Sequence, residues 1–326
     1  MHLLISSWRS GYRGRLALLA LPALIAAAVG VGACSASSDG STGTFGDGGS
    51  GASSSNGTGN NGEGGAGGDL FGNTTVTTTG GSTDDCSEAA KLIYIIGAGN
   101  NLYSFHPPTL AVTPIGVINC PQTGGATPFS MAVDRQGTAW ILFNDGRLYN
   151  VDTQNAVCTA TSFQPGQQGL TRFGMGYVSD APGSSDEKLY IADFNGSGIA
   201  TIDTTSLTVT PVRPYDALFQ AAELTGTGDA RLFGFFTGSP VQIAEIEPAT
   251  GHVLSMAPQP SISIGNGWAF AFWGGDFYTF TNPSGSGSQI DRYSPSMAMT
   301  STVLTGIGDN IVGAGVSTCA PTQPPQ

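Results

Sequence analysis

A five-residue module recurs five times between residues 102 and 294, and it restricts the fold more than any other feature of the chain. It reads Leu102-Tyr103-Ser104-Phe105-His106, Leu148-Tyr149-Asn150-Val151-Asp152, Ile199-Ala200-Thr201-Ile202-Asp203, Ile243-Ala244-Glu245-Ile246-Glu247 and Ile290-Asp291-Arg292-Tyr293-Ser294. The aligned residues Phe105, Val151, Ile202, Ile246 and Tyr293 are separated by 46, 51, 44 and 47 residues. Each module is followed by a turn rich in Pro, Thr, Ser or Asn and then another short strand, and no stretch keeps a 3.6-residue period. A repeat of this length marks units that bury their apolar faces only against one another.

Two more elements complete each unit. A second element precedes the module: Lys91-Leu92-Ile93-Tyr94, Thr138-Ala139-Trp140, Lys188-Leu189-Tyr190, Arg231-Leu232-Phe233 and Asp276-Phe277-Tyr278. Gly-containing loops such as Asn144-Asp145-Gly146 join the two as hairpins. A third element is rich in small residues: Ser130–Val133, Gly174–Tyr177, Gln220–Ala222, Trp268–Phe272 and, at the C-terminus, Val312–Val316. Glycine inside a strand marks close backbone approach, as strands converging on one axis require. Four-stranded units of this length around an axis form a β-propeller. The first unit lacks a small-residue strand and the last such strand has nothing after it. The expected fold is therefore all-β: five four-stranded blades over residues 84–320, with the C-terminal strand completing blade one. Ser130-Met131-Ala132-Val133-Asp134-Arg135-Gln136-Gly137-Thr138-Ala139-Trp140 resembles the NHL propeller repeat, and Thr201-Ile202-Asp203-Thr204-Thr205-Ser206 resembles the YVTN-type turn. The resemblance implies fold, and fold does not assign function.

The first 34 residues read as an address. Arg9, Arg13 and Arg15 precede an apolar run, Leu16 to Val31, which is shorter than the ~20 residues a membrane span needs. Val31-Gly32-Ala33-Cys34 resembles the bacterial lipobox. That resemblance implies cleavage after residue 33, a lipid-anchored Cys34, and, because Ser35 rather than Asp follows, the outer membrane. Residues 34–83 form the expected tether: Ser35 to Thr83 holds sixteen Gly in 49 residues and no Lys, Arg or Pro. Such a segment buries too little apolar surface to order, and a flexible coil of that length spans roughly 35–42 Å. Its composition is similar to tethers of myxobacterial envelope lipoproteins. Residues 321–326 are expected to be a disordered tail. Loss of the three signal arginines leaves eight Lys and Arg against 23 acidic residues, a net charge of −15. An acidic chain excludes nucleic-acid binding driven by phosphate contacts.

Removing Cys34 leaves Cys86, Cys120, Cys158 and Cys319, an even number in an exported domain. Cys86 precedes the first strand and Cys319 follows the last, so ring closure pairs them; the staple contributes roughly 4–5 kcal/mol in chain-entropy terms. Cys120, expected at the end of blade one's outer strand, then pairs with Cys158 in blade two's. No pair has zinc-ligand spacing, and no metal or cofactor is expected.

Catalytic signals are sparse. His106 and His252 fall in turns after third strands, and Asp152, Asp203 and Glu247 share a turn position where a carboxylate accepts backbone hydrogen bonds. Asp193–Ser197 suggests a calcium loop but lacks the downstream Glu, so a hairpin turn is the expectation. Glycoside hydrolysis needs two carboxylates near the axis, and the inner strands offer only Glu223 and, at a strand end, Asp134. No catalytic residue is assigned. Trp268, Phe270, Phe272, Trp273, Phe277, Tyr278 and Phe280 crowd blade five, and about half are expected to pack between blades, leaving the rest as a stacking platform. One face, built from loops entering inner strands and loops joining second to third strands, collects Asn100, Asn101, Asn144, Asp145, Arg172, Asp193, Asn195, Asn266, Trp268, Asn282 and Asn310. Hydrogen-bonding side chains beside an aromatic suit a carbohydrate or peptide. The expected function is a membrane-anchored, non-catalytic binding or scaffolding module at the cell envelope, with an envelope protein or glycan as partner. A glycan-acting enzyme on the same fold and a purely structural surface protein are the alternatives.

Overall fold

A computed structural model of the chain describes residues 86–325 except Thr123; the signal segment, Cys34 and the tether lie outside the described residues. Five four-stranded antiparallel sheets are arranged as blades. From the axis outward, blade one is Ile311–Val316, Ile93–Gly97, Asn101–His106 and Ala111–Val117. Blade two is Pro128–Val133, Thr138–Phe143, Leu148–Asp152 and Cys158–Ala160, and blade three is Phe173–Ser179, Glu187–Asp193, Ile199–Ile202 and Val209–Arg213. Blade four is Ala222–Gly226, Leu232–Phe236, Val241–Ile246 and Val253–Gln259, and blade five is Trp268–Trp273, Asp276–Thr281, Ser288–Ser294 and Met299–Ile307. The C-terminal strand pairs antiparallel with Ile93–Gly97, so the last segment closes the ring in blade one.

Five buried apolar clusters occupy the spaces between blades. Each inner strand lies close against its neighbours, which is why it carries small residues. A Cβ on Gly174 would fall on the Ala222 carbonyl of blade four, and one on Gly315 would sit 2.9 Å from Ala132 of blade two. Two expected placements are corrected. Blade four's inner strand is Ala222–Gly226, not Gln220–Ala222, and Glu223, expected on an inner strand, lies within it and is buried. Cys120 lies three residues beyond blade one's outer strand, which ends at Val117.

The turns from third to outer strand repeat in backbone as well as position. Leu110, Ala156, Leu207, Gly251 and Ala298 hold the same place five residues after the aligned module position, and all five have φ between 49° and 74°. Four of these are not glycine, an uncommon choice for that region. The turns face the exit of the preceding blade, and each such meeting is fastened differently. Cys120–Cys158 bridges blades one and two with Cα atoms 5.1 Å apart. Gln167 donates to the Leu207 carbonyl at 2.8 Å and accepts from the Val209 amide at 3.0 Å. Asp216 accepts from the Val253 amide at 3.1 Å and pairs with His252. Thr300 donates to Gln259 at 2.5 Å, and Leu110, Val112, Val303 and Leu304 pack against the one buried cluster between blades one and five where the ring closes.

Candidate functional site

The propeller has two unlike faces. The closing face carries the loops from inner to second strand and both ends of the described ring. Cys86 and Cys319 are bonded there, with Cα atoms 5.7 Å apart. Beside the disulfide, Glu187 of blade three accepts from the Thr318 hydroxyl at 2.7 Å and from the Arg135 amide at 2.9 Å. The Arg135 guanidinium donates to Thr318 at 3.2 Å and to the Cys86 sulfur at 3.2 Å. Burial pushes the Glu187 carboxyl up to about 7, the donors Arg135 and Thr318 offsetting part of it. Trp273 donates from its indole to the Lys91 carbonyl at 2.7 Å.

On the axis, Glu223 is 1% exposed. Its carboxyl accepts from the Ser130 hydroxyl of blade two at 2.7 Å and from the Met175 amide of blade three. Thr225, two residues on, accepts from the Phe272 amide of blade five at 3.0 Å. Inner strands have one unpaired edge, and a five-bladed ring is tight enough for side chains of blade four to satisfy neighbours across it. Burial raises the Glu223 carboxyl well above the usual carboxylate range. Asp134 is not its partner. It follows the opposite end of the Ser130 strand, about 13 Å away at 3.3 Å per residue. Its carboxylate holds the Gln136 and Thr138 amides and the Trp140 indole at 3.0, 2.8 and 3.2 Å. The two acids considered for glycoside hydrolysis are therefore kept apart, each occupied. Among the described residues no three His, Cys, Asp or Glu side chains gather as metal ligands, and no helix is long and apolar enough to cross a membrane.

The entry face carries the residues collected from the sequence, and they fall into distinct groups. Asn282 donates to Asn310 at 2.9 Å, and Asn310 donates to the Asn266 carbonyl at 3.3 Å, so these three brace blade five against blade one. Asn101 and Tyr103 donate to Asp309 at 2.8 and 3.2 Å. Asn100 turns its hairpin with φ 69°, and its side-chain oxygen is buried without a partner among the described residues. Asn144 clasps Thr127 through two bonds, and Asp145 accepts from the Arg147 amide at 3.1 Å. Asp193 is buried and accepts from the Ser197 hydroxyl at 2.6 Å, with Asn195 donating to it at 3.4 Å, which is a hairpin turn. The aromatic expectation for blade five is corrected. Phe270, Phe272, Trp273, Phe277, Tyr278 and Phe280 are all buried; only Trp268 is half-exposed, and its ring lies 6.4 Å from Phe235. Alternation sends one side of a strand to each neighbouring blade, so both sides of an inner strand are core.

Arg172 differs from the rest of this face. It is exposed, and its guanidinium lies 4.2 Å from the Phe194 ring and 5.7 Å from the Phe129 ring, which meet edge to face at 5.5 Å. Phe194 reaches it because its amide donates to the Arg172 carbonyl at 3.1 Å. In the next loop, Phe219 is 61% exposed, with its backbone against Gly196. Gln220 leads from there to Gly238 and a depression of about 460 Å³ that includes Pro240, Val241, Pro260, Ile262 and Ile264. The sequence reading missed Phe129, Phe194, Phe219 and this depression; the apolar Phe194 in the otherwise polar turn Asp193–Ser197 was the available signal.

No family model matches the chain, and no curated protein matches it. Among solved structures, a chain of a nidogen/laminin complex is similar, with 15% identity, coverage of 73% of this chain and 83% of that one, and a TM-score of 0.45. A structural-genomics protein of unknown function from Bacteroides thetaiotaomicron has 14% identity over 67% of this chain and 59% of its own, with a TM-score of 0.41. The extracellular domain of a putative one-component system from B. thetaiotaomicron has 12% identity over 68% of this chain, with a TM-score of 0.37. This chain spans 28% of that last structure. Likeness at this level carries no argument about function.

Proposed function

We propose that the chain is a bacterial envelope lipoprotein, anchored through Cys34 and tethered by residues 34–83, whose propeller is a non-catalytic binding module. The lipobox resemblance and the glycine-rich tether support the anchoring. Two disulfides suit an oxidising compartment outside the cytoplasm. The observation that carries the binding reading is the contrast between the axis and the entry face. The one acid inside an inner strand, Glu223, is sealed and spent on holding the ring together, whereas the entry face presents a guanidinium with no acceptor among the described residues. A binding protein needs the second and does not need a paired acid at the axis.

The test is chemical crosslinking in intact cells that carry the full-length protein with a C-terminal tag, followed by mass spectrometry and sugar analysis of what is retained. A recurrent protein partner is the expected result. Retained polysaccharide without protein would replace this reading with a glycan-directed one, and an empty capture would leave a structural role. Fatty-acid labelling of the same cells should mark the wild type and not Cys34→Ser. Labelling that persists in the variant would remove the anchor from the proposal.

A further inference from the structure

Resting on the reading of the entry face as a binding surface, we propose that Arg172 is the anchor for a single carboxylate, carried by a peptide segment with an apolar side chain beside the acid. Six of the eight described Lys and Arg have a hydrogen-bond or ion-pair partner within 4 Å: Lys91 with Glu88, Arg135 with Thr318, Arg147 with Asp145, Lys188 with Asp180, Arg231 with Glu245 and Arg292 with Asp276. Arg172 has none among the described residues, in a chain with twice as many acidic as basic residues. Arg213, at the rim end of blade three's outer strand, shares that lack but has no described ring beneath it. The Arg172 guanidinium rests over the Phe194 and Phe129 rings. That leaves its donor edge for a ligand and reduces the rotamer freedom lost on binding.

The ligand class follows from what surrounds the cation. A planar guanidinium recognises a carboxylate through two parallel hydrogen bonds. A polyanion would meet the acidic remainder of the chain, so one carboxylate fits better than many. A sugar needs an open ring face, and here the Phe194 face is taken by Arg172, Phe129 is edge-on to Phe194, and Trp268 packs by Phe235. What remains exposed is the single ring of Phe219 and then the depression by Pro240 and Ile264, whose lining mixes apolar side chains with Ser239 and Ser263. Acid followed by apolar side chain is a peptide pattern.

The experiment is selection of a random dodecapeptide library on the full-length protein in detergent micelles, with Arg172→Ala as the counter-selection. Peptides with one Asp or Glu next to an apolar residue are the expected yield. A recovered peptide, made synthetically, should bind Arg172→Ala at least about tenfold more weakly. Replacing its acid by the amide should give a similar loss, and the two changes together should lose no more than either alone. Arg172→Lys should lose several-fold, because an ammonium keeps the charge without the fork. Unfolding midpoints of both variants are read alongside; Arg172 has only its two ring contacts to lose among the described residues, so they should stay close to the wild type. Recovered peptides without an acid, or with affinity indifferent to Arg172→Ala, overturn the proposal. So does Arg172-dependent binding of tetragalacturonate with no acidic peptide recovered, which would assign the cation to a glycan. A crosslinked protein partner captured equally by wild type and Arg172→Ala would sink this inference while leaving the binding-module reading in place.

Discussion

The two faces of the propeller spend their polar residues differently. On the closing face, Glu187, Arg135 and Thr318 bond one another across three blades, beside the Cys86–Cys319 disulfide. On the entry face most asparagines are committed too, Asn282 to Asn310 and Asn144 to Thr127, but Arg172 rests on two rings and has no acceptor among the described residues. A polar surface is thus a poor guide to a binding surface. Most of its side chains are turn and brace chemistry, and the informative residue is the one the fold leaves unused.

That contrast can be broken from either side. The largest effect should come from Cys86→Ser with Cys319→Ser, which frees a closure across 233 residues and should lower unfolding free energy by about 5 kcal/mol in chain-entropy terms. Removing Cys120–Cys158, separated by 38 residues, should cost about 4 kcal/mol by the same reasoning. Denaturant titration of both variants checks the order; equal midpoints for wild type and the closure variant would mean strand pairing alone holds the ring. Next is Glu223→Ala, which strands the Ser130 hydroxyl and the Met175 amide and should cost about 1–3 kcal/mol. Glu223→Gln keeps an acceptor and adds no charge; because burial disfavours the charged carboxylate, the amide should lie closer to wild type than Glu223→Ala does. A large loss for the amide would show that the site requires a negative charge.

The pH dependence of the closing face comes third. Glu187 titrates near 7 in the fold against 4.5 ordinarily, so between those values the native state binds the extra proton. Its contribution is fully present below about 4.5 and declines as pH rises through about 7. Wild type minus Glu187→Gln should therefore show stability falling across that window, measured by urea midpoints at pH 5 and pH 8. A difference that rises with pH would reverse the assignment. The smallest effect belongs to Arg172→Ala, whose two ring contacts at an exposed site are worth about 1 kcal/mol or less. A larger destabilisation would make it one more brace and erase the difference between the faces.

The ring itself was readable because its signals are local. Apolar pairs at the third strand recur, small residues mark the axis, and an unmatched first and last strand announce closure in blade one. The full extent of blade four's inner strand was hidden because the small-residue signal ends at Ala222; Glu223 was legible as an inner-strand acid, but its bonds to the edges of blades two and three were not. The turns at Leu110, Ala156, Leu207 and Ala298 were also hidden, because their left-handed backbone is not advertised by glycine. On the entry face, the asparagines were visible and their mutual bonds were not. Arg172 was visible too, but its distinction lies in what surrounds it, and that depends on the Phe194 turn folding back over the start of blade three.

The position of the closing disulfide also determines how the ring would bear force. A pull on the chain ahead of Cys86 reaches the bonded sulfurs before it reaches the strand at Ile93–Gly97. The load is carried over to Cys319, beside the terminal strand, through a covalent bond. Hydrogen bonds between those two strands are then spared from being unzipped one at a time. A reduced ring offers the same pull an end to peel, and an oxidised ring offers it a closed loop.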